Sequence, residues 1–191
     1  MRPKKRPLLP TSGHDRRVIE RVEGNADEAE ALTVHLIDWY LDWAGGEQVA
    51  RGRFDADGLA SAHAQVRAHV RVELPAMLGP RGRLLIDRQD GVVTGMVGLK
   101  PVDEQTGEIK RMIVDPAYRG LGIARALLSR VVEDARAEGY RILRLETADF
   151  MTGAQSLYRS VGFADVTMFD GGEAAKIGLA DSTKFFVLDL A

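Results

Sequence analysis

Two rhythms of apolar and polar residues run along this 191-residue chain. A period near two, bounded by turn residues, predicts strands over 16–23, 83–88, 92–100, 108–114, 141–147, 163–169 and 184–190. Asp90-Gly91 is a strong hairpin signal between the second and third of these, and Gln105-Thr106-Gly107 turns the chain into the fourth. A period near 3.6 predicts four helices. Asn25 or Asp27 caps the first, which runs to Gly45 with Leu32, Leu36, Trp39, Tyr40 and Trp43 as an apolar and aromatic stripe that reads as core. Asp57 caps the second, over 59–74, and Pro75 closes it. In the third, Ile123, Ala124, Leu127, Leu128, Val131 and Ala135 oppose a polar side of Arg125, Arg130, Glu133, Asp134 and Arg136, and Gly139 stops it. The fourth is short, with Ala154, Leu157, Tyr158 and Val161 on one face and Gly162 at its end. Residues 170–181 read as a loop.

The order is strand, two helices, a three-strand meander, helix, strand, helix and two strands. That is an α/β pattern, and the helix between the fourth and fifth strands allows those two to pair in parallel. Residues 16–191 are expected to form a single domain. Ahead of it, Arg2, Lys4, Lys5 and Arg6, broken by Pro3, Pro7 and Pro10, make a basic leader over 1–15 that is expected to be disordered. Without those four charges, 22 basic residues face 28 acidic ones, a net of about −6 for the rest of the chain, and the body offers no basic face to continue a contact with nucleic acid. No nucleic-acid partner is expected. No apolar run approaches the ~20 residues of a membrane span, so no membrane association is expected either. The absence of cysteine rules out disulfides, thiolate metal sites and a cysteine acyl-enzyme, and suits a cytoplasmic protein. His63 and His69, six residues apart on one helix, fall on different faces, and no metal is expected.

The stretch that carries chemistry is Asp115-Pro116-Ala117-Tyr118-Arg119-Gly120-Leu121-Gly122-Ile123-Ala124-Arg125. It joins the strand ending at Val114 to the N-terminus of the third helix, where unpaired N–H groups and the helix dipole favour a phosphate or pyrophosphate. Gly120 and Gly122 let the backbone approach such a ligand closely. The spacing is neither that of a P-loop nor that of a dinucleotide fingerprint. Arg119-x-x-Gly122-x-Ala124 resembles the acetyl-CoA signature Gln/Arg-x-x-Gly-x-Gly/Ala of the GCN5-related N-acetyltransferase (GNAT) superfamily. The run Leu157-Tyr158-Arg159-Ser160-Val161-Gly162-Phe163 is similar to the Leu-Tyr-x-x-x-Gly-Phe run that follows the fifth strand in many of its members, and the element order is also theirs.

The resemblance implies a mixed, mostly antiparallel sheet of about seven strands, splayed between the fourth and fifth and flanked by about four helices. It implies acetyl-CoA as co-substrate, held by Arg119, Gly120, Leu121, Gly122, Ile123, Ala124 and Arg125 and by the backbones of Met112, Ile113 and Val114. Acetyl would pass to a primary amine of a small molecule or peptide by direct attack, and a homodimer is left open. By resemblance Tyr158 stands beside the CoA sulfur as general acid; a tyrosine with a packed ring is the structural alternative. Glu108 matches the general-base glutamate of the histone-acetylating members. Lys110 shares its face, so an ion pair, or a base acting through water, stays open. Lys110 or Arg111 is the candidate to hold a substrate carboxylate. The chain departs from the family at Met151, where members often carry Asn or Gln against the pantetheine arm. That departure feeds the alternative of a non-catalytic acyl-CoA-binding module.

Overall fold

The computed structural model describes residues 17–169, 172–176 and 178–191. The basic leader lies outside the described residues, as do positions 170, 171 and 177 of the expected loop. The elements, in order, are β1 (Val18–Arg21), α1 (Ala26–Ala50), α2 (Ala56–Leu78), β2 (Arg83–Gln89), β3 (Val92–Pro101), β4 (Thr106–Val114), α3 (Ile123–Ala137), β5 (Ile142–Ala148), α4 (Thr152–Val161), β6 (Ala164–Val166), α5 (Glu173–Lys176) and β7 (Thr183–Asp189). The seven strands make one sheet in the order β1-β2-β3-β4-β5-β7-β6. Every neighbouring pair is antiparallel except β4–β5.

Both faces of the sheet are covered, which is why Leu84-Leu85-Ile86 is an unbroken apolar run. Leu85, Val97 and Leu99 point to one side and pack with Leu127, Leu128 and Val131 of α3. Leu84, Ile86 and Met96 point to the other and pack with Leu36, Ile37 and Leu41 of α1 and Leu74 and Met77 of α2.

Three features depart from the expectations. The first helix does not stop at Gly45 but runs to Ala50. A Cβ on Gly45 would lie 2.5 Å from side-chain atoms of Leu59 and His63, so this glycine brings α1 and α2 together instead of ending a helix. Pro75 lies inside α2 rather than closing it. It removes one intrahelical bond, but the buried side chains of Leu74 and Met77 hold the last turn against the sheet. The expected loop contains α5, whose Glu173 has a structural role.

Between α1–α2 and the sheet lies a buried network of charges. Lys110, 5% exposed, places Nζ 3.1 Å from Glu173, 3.2 Å from Glu108, 3.5 Å from Glu146 and 3.8 Å from Glu73. The Arg111 guanidinium lies 3.0 Å from Glu173 and 3.1 Å from Glu73, and Lys100 lies 2.6 Å from Glu73. Arg144 holds the far side of Glu108 at 2.9 Å. Removing such charges from water costs several kcal/mol each unless they are paired, and every carboxylate here is paired. Burial opposes ionisation of Glu173, but Arg111 and Lys110 outweigh it and hold the carboxyl at about 2. A folded pKa below the unfolded value contributes stability that is complete above the ordinary glutamate range, near 4.5, and is lost as pH falls through about 2. The depression is worth roughly 3 kcal/mol. Urea unfolding between pH 6 and 2 should therefore show Glu173→Gln less stable than the parent at the upper end. The gap should close as the pH falls, and a gap of constant size would mean that Glu173 is not held as an ion.

Candidate active site

The site begins where the sheet comes apart. β4 and β5 pair only through Thr106–Ile142, Gly107–Leu143 and Glu108–Arg144, and beyond Glu108 they separate as expected. On its other edge β4 stays with β3, but the register slips. Ile113 faces Met96 while Lys110 faces Gly98, so two residues of β4, Arg111 and Met112, answer one residue of β3. This is a β-bulge, and Arg111 takes φ 55° in it. The bulge turns the C-terminal half of β4 while no β5 neighbour satisfies its outer backbone groups.

Two cavities occupy the gap. The larger, about 600 Å³, is bounded by Met112, Ile113 and Val114 of β4, the turn from Tyr118 to Arg125, and α4. Its glycines take left-handed backbone, Gly120 at φ 80° and Gly122 at φ 73°, and Gly122 forms the N-terminus of α3 without a side-chain cap. A Cβ at either position would meet no protein atom within 4 Å, so the space over the turn is open to a ligand. The smaller cavity, about 170 Å³, lies under α1 and α5 and has Lys110, Arg111, Glu146 and Glu173 in its wall. Tyr40, Met112, Ile113, Met151, Ala154 and Tyr158 belong to both, so the two spaces meet around Tyr158.

Tyr158 is 5% exposed, with its ring between Phe163 and Phe186 at centroid distances of 6.0 and 5.8 Å. Burial, with a smaller push from Tyr40, raises its pKa well above the ordinary tyrosine value. The phenol is therefore protonated throughout the neutral range. Glu108 is placed differently. It is 1% exposed and borders neither cavity; Arg144 donates to Oε2, and Lys110 lies 3.2 Å from Oε1, which accepts no hydrogen bond. Burial works against its ionisation, but Lys110 and Arg144 outweigh it and lower its pKa. The structure thus brings together Tyr158, β4 from Met112 to Val114 and the glycine turn, and leaves Glu108 in the ion network.

The aromatic stripe of α1, expected in the core, meets it in part: Leu36 is buried there, and Leu32, Trp39 and Tyr40 pack against it half-buried. Trp39, Tyr40 and Trp43 are half-buried and border the large cavity. Trp39 and Trp43 stack at 5.6 Å, and the Arg119 guanidinium lies 4.7 Å from the Trp39 ring centre. Arg53 pairs with Asp149 at 2.6 Å and Trp43 meets Phe150 edge-on at 5.7 Å, which ties the C-terminal end of α1 to the segment between β5 and α4. Met151 accepts a hydrogen bond from Thr147, and the nearby amide belongs to Gln155, which donates to the carbonyls of Ala148 and Asp149. Glu73, Glu146 and Glu173 were also missed. A signal existed for Glu73, which stands four residues after His69 and lies 3.1 Å from it. His69, Glu73 and Glu173 offer ligand atoms within 4.8 Å of one another, but Lys100, Lys110 and Arg111 already supply the positive charge that a metal would bring.

Residues 56–163 match the model of the acetyltransferase (GNAT) family. An IAA acetyltransferase from Azospirillum brasilense is 41% identical over 96 residues, which cover 49% of this chain and 62% of that protein. The chain thus spans less than two thirds of that relative's length. Among solved structures, an acetyltransferase from Streptococcus agalactiae superposes with a TM-score of 0.64 at 21% identity, over 91% of this chain and 98% of that one. An acetyltransferase from Salmonella typhimurium, solved with its cofactor acetyl-CoA, gives 0.58 at 20% identity, over 92% and 95%. At these identities the structures speak for the fold, while the family match rests on the segment that contains the bulged strand, the glycine turn and Tyr158. This chain belongs to the acetyltransferase (GNAT) family.

Proposed function

We propose that residues 16–191 form one acetyltransferase domain that moves acetyl from acetyl-CoA to a primary amine. The observation that carries this reading is the meeting of the two cavities at Tyr158, one bordered by the glycine turn at the N-terminus of α3 and the other by charged side chains. The large cavity suits the donor, with the N–H groups of 119–125 and the α3 dipole for its pyrophosphate and the outer backbone of Met112–Val114 for its pantetheine arm. Bound there, acetyl-CoA supplies an activated acyl group on a thiolate leaving group. The small cavity suits the acceptor. The acceptor ammonium gives one proton to solvent and its nitrogen attacks the acyl carbon; as the carbon–sulfur bond breaks, a second proton from that nitrogen replaces the one that Tyr158 gives to sulfur.

Tyr158 serves the leaving sulfur. Its hydroxyl, protonated and desolvated, donates to the developing thiolate, and the burial that raises its pKa raises that of the thiolate as well. An N–H of the bulged β4 polarises the acyl oxygen. Glu108 is read as an ion-pair partner, and the ammonium proton leaves through water along the charged wall, where Glu146 is exposed to the small cavity. The absence of cysteine suits a reducing cytoplasm, and no helix among the described residues is long and apolar enough to cross a membrane.

Three measurements test this reading. Acetyl-CoA at about 100 times its Kd should stabilise the fold by ~2.7 kcal/mol, a melting shift of roughly 5–11 °C for a domain of this size. Both tryptophans of the chain border the donor cavity, so the same titration should change the intrinsic emission. Gly122→Val should abolish both responses in a folded protein; an undiminished response would move the cofactor elsewhere. In the second measurement, Tyr158→Phe should keep acetyl-CoA affinity and lose roughly 10²- to 10⁴-fold in kcat, and parental turnover with chemistry rate-limiting would make Tyr158 a core residue. In the third, Glu108→Gln should lower the melting temperature and leave the shape of the pH–rate profile unchanged. Loss of the acid limb would restore Glu108 as the base.

A further inference from the structure

The acceptor cavity already contains a carboxylate. Glu173 reaches Lys110 and Arg111 from α5, a four-residue helix in the connection between β6 and β7, whereas both cations stand on the bulged strand. It bridges them with contacts of 3.1 Å to Lys110 and 3.0 Å to each terminal nitrogen of Arg111. The geometry is that of a carboxylate bound by two cations, one of them a guanidinium.

Arg111 has two features that its packing does not require. Its φ of 55° is a left-handed conformation that glycine or asparagine adopts with less strain. Its side chain is 8% exposed, yet Nε is buried without a hydrogen-bond partner. Of the two network atoms buried without a hydrogen bond, the donor Arg111 Nε belongs to a residue of the small cavity's wall, whereas the acceptor Glu108 Oε1 belongs to a residue that borders neither cavity. The carboxylates there are committed, Glu173 to Lys110 and Arg111, and Glu146 to Lys110 and the N–H groups of Glu173 and Ala174. A cationic acceptor would need a free acceptor group in that wall, whereas an anionic one would find a donor array that Glu173 shows to be of the right shape.

We propose that the acceptor is an amino acid, and that its carboxylate takes the place of Glu173 on Lys110 and Arg111 while its amine lies at the junction beside Tyr158. The exchange keeps the charge of the network balanced, because one carboxylate replaces another. It also withdraws the Glu173 N–H from Glu146 Oε1, which leaves Lys110, at 3.5 Å, as the remaining partner of that oxygen. The reaction would join the amine to acetyl, release CoA as the thiol and give one proton to solvent, leaving an N-acetyl amino acid. The amine's part in this rests on the acetyltransferase reading; the carboxylate site does not.

The test compares L-alanine, β-alanine and L-phenylalanine with their amides as acceptors, in the parent, Arg111→Gln and Glu173→Gln. An amide's amine is the less basic one and the more available as a nucleophile, so intrinsic reactivity favours the amides. We expect the opposite order for at least one pair, by roughly 10- to 100-fold in kcat/KM, the worth of a charge-assisted contact. Arg111→Gln should erase that preference through KM. Glu173→Gln should lower KM for the acid several-fold and change KM for the amide by less, since it removes the competing carboxylate. Calorimetry with propionate and N-acetyl-L-alanine in the presence of CoA provides a readout that needs no turnover. Glu173→Gln should bind both about 10-fold more tightly than the parent. Amides accepted as well as acids would overturn the proposal and leave the acetyltransferase reading intact. So would carboxylate binding that weakens in Glu173→Gln, or that is undetectable in both proteins. If acetyl-CoA neither binds nor turns over, the acetyltransferase reading falls, and the calorimetry still decides the carboxylate site. Should Arg111→Gln fail to fold, Glu173→Gln alone settles the matter.

Discussion

The structure depends on a parallel pairing that stops early. After Glu108 and Arg144 the fourth and fifth strands separate, and a sheet that divides in its interior leaves backbone groups without partners. The bulge at Arg111 sets how β4 turns away, α4 supports the far side of the gap, and the glycine turn closes one end. Each of these would be a defect in an ordinary sheet. Together they leave one open edge at which an extended ligand can complete the hydrogen bonding that β5 does not provide.

The charges below the gap follow from the same division. Side chains that alternate along β4 and β5 must face inward even where the strands no longer touch, and Glu108, Lys110, Arg144 and Glu146 therefore face one another in a confined space. Apolar residues there would close the gap by collapsing. Ion pairs hold their partners at fixed distances and keep polar groups at the cavity wall, at a cost in stability that well-packed apolar side chains would not carry. Glu73 and Glu173, which arrive from other elements, bring this wall to balance.

Most of the scaffold was legible in the chain. Regular periods, Asp90-Gly91 and the glycine after each short helix located the strands and three of the four long helices to within a few residues, because these signals are local. The glycine turn and Tyr158 could be read for the same reason, since each is a run of adjacent residues. Gly45 and Pro75 misled because their usual meaning was overridden by packing between α1, α2 and the sheet. The ion network was only half legible. Glu108 and Lys110 share a strand face and announce themselves, but Arg144 and Glu173 reach them from elsewhere in the sequence, and no period connects such positions. Trp39 and Trp43 occupy core-like spacing on α1, and only the placement of β4 and α4 shows that they face a cavity.

The place of β7 in the sheet bears on how the protein is made. β5 supplies one wall of the gap, and its only complete partner is β7, paired along all seven of its residues from Ile142 to Ala148. β7 begins at Thr183, beyond the segment 56–163 that matches the family. During synthesis the glycine turn, α3 and α4 therefore leave the ribosome before the strand that fixes β5 exists. Until Thr183–Asp189 follow, β5 has an unsatisfied edge, and the nascent chain carries a half-built cleft open to other strands. The family segment contains the glycine turn and Tyr158 but not the strand that holds β5 in register, so the cleft is complete only once Thr183–Asp189 have been made.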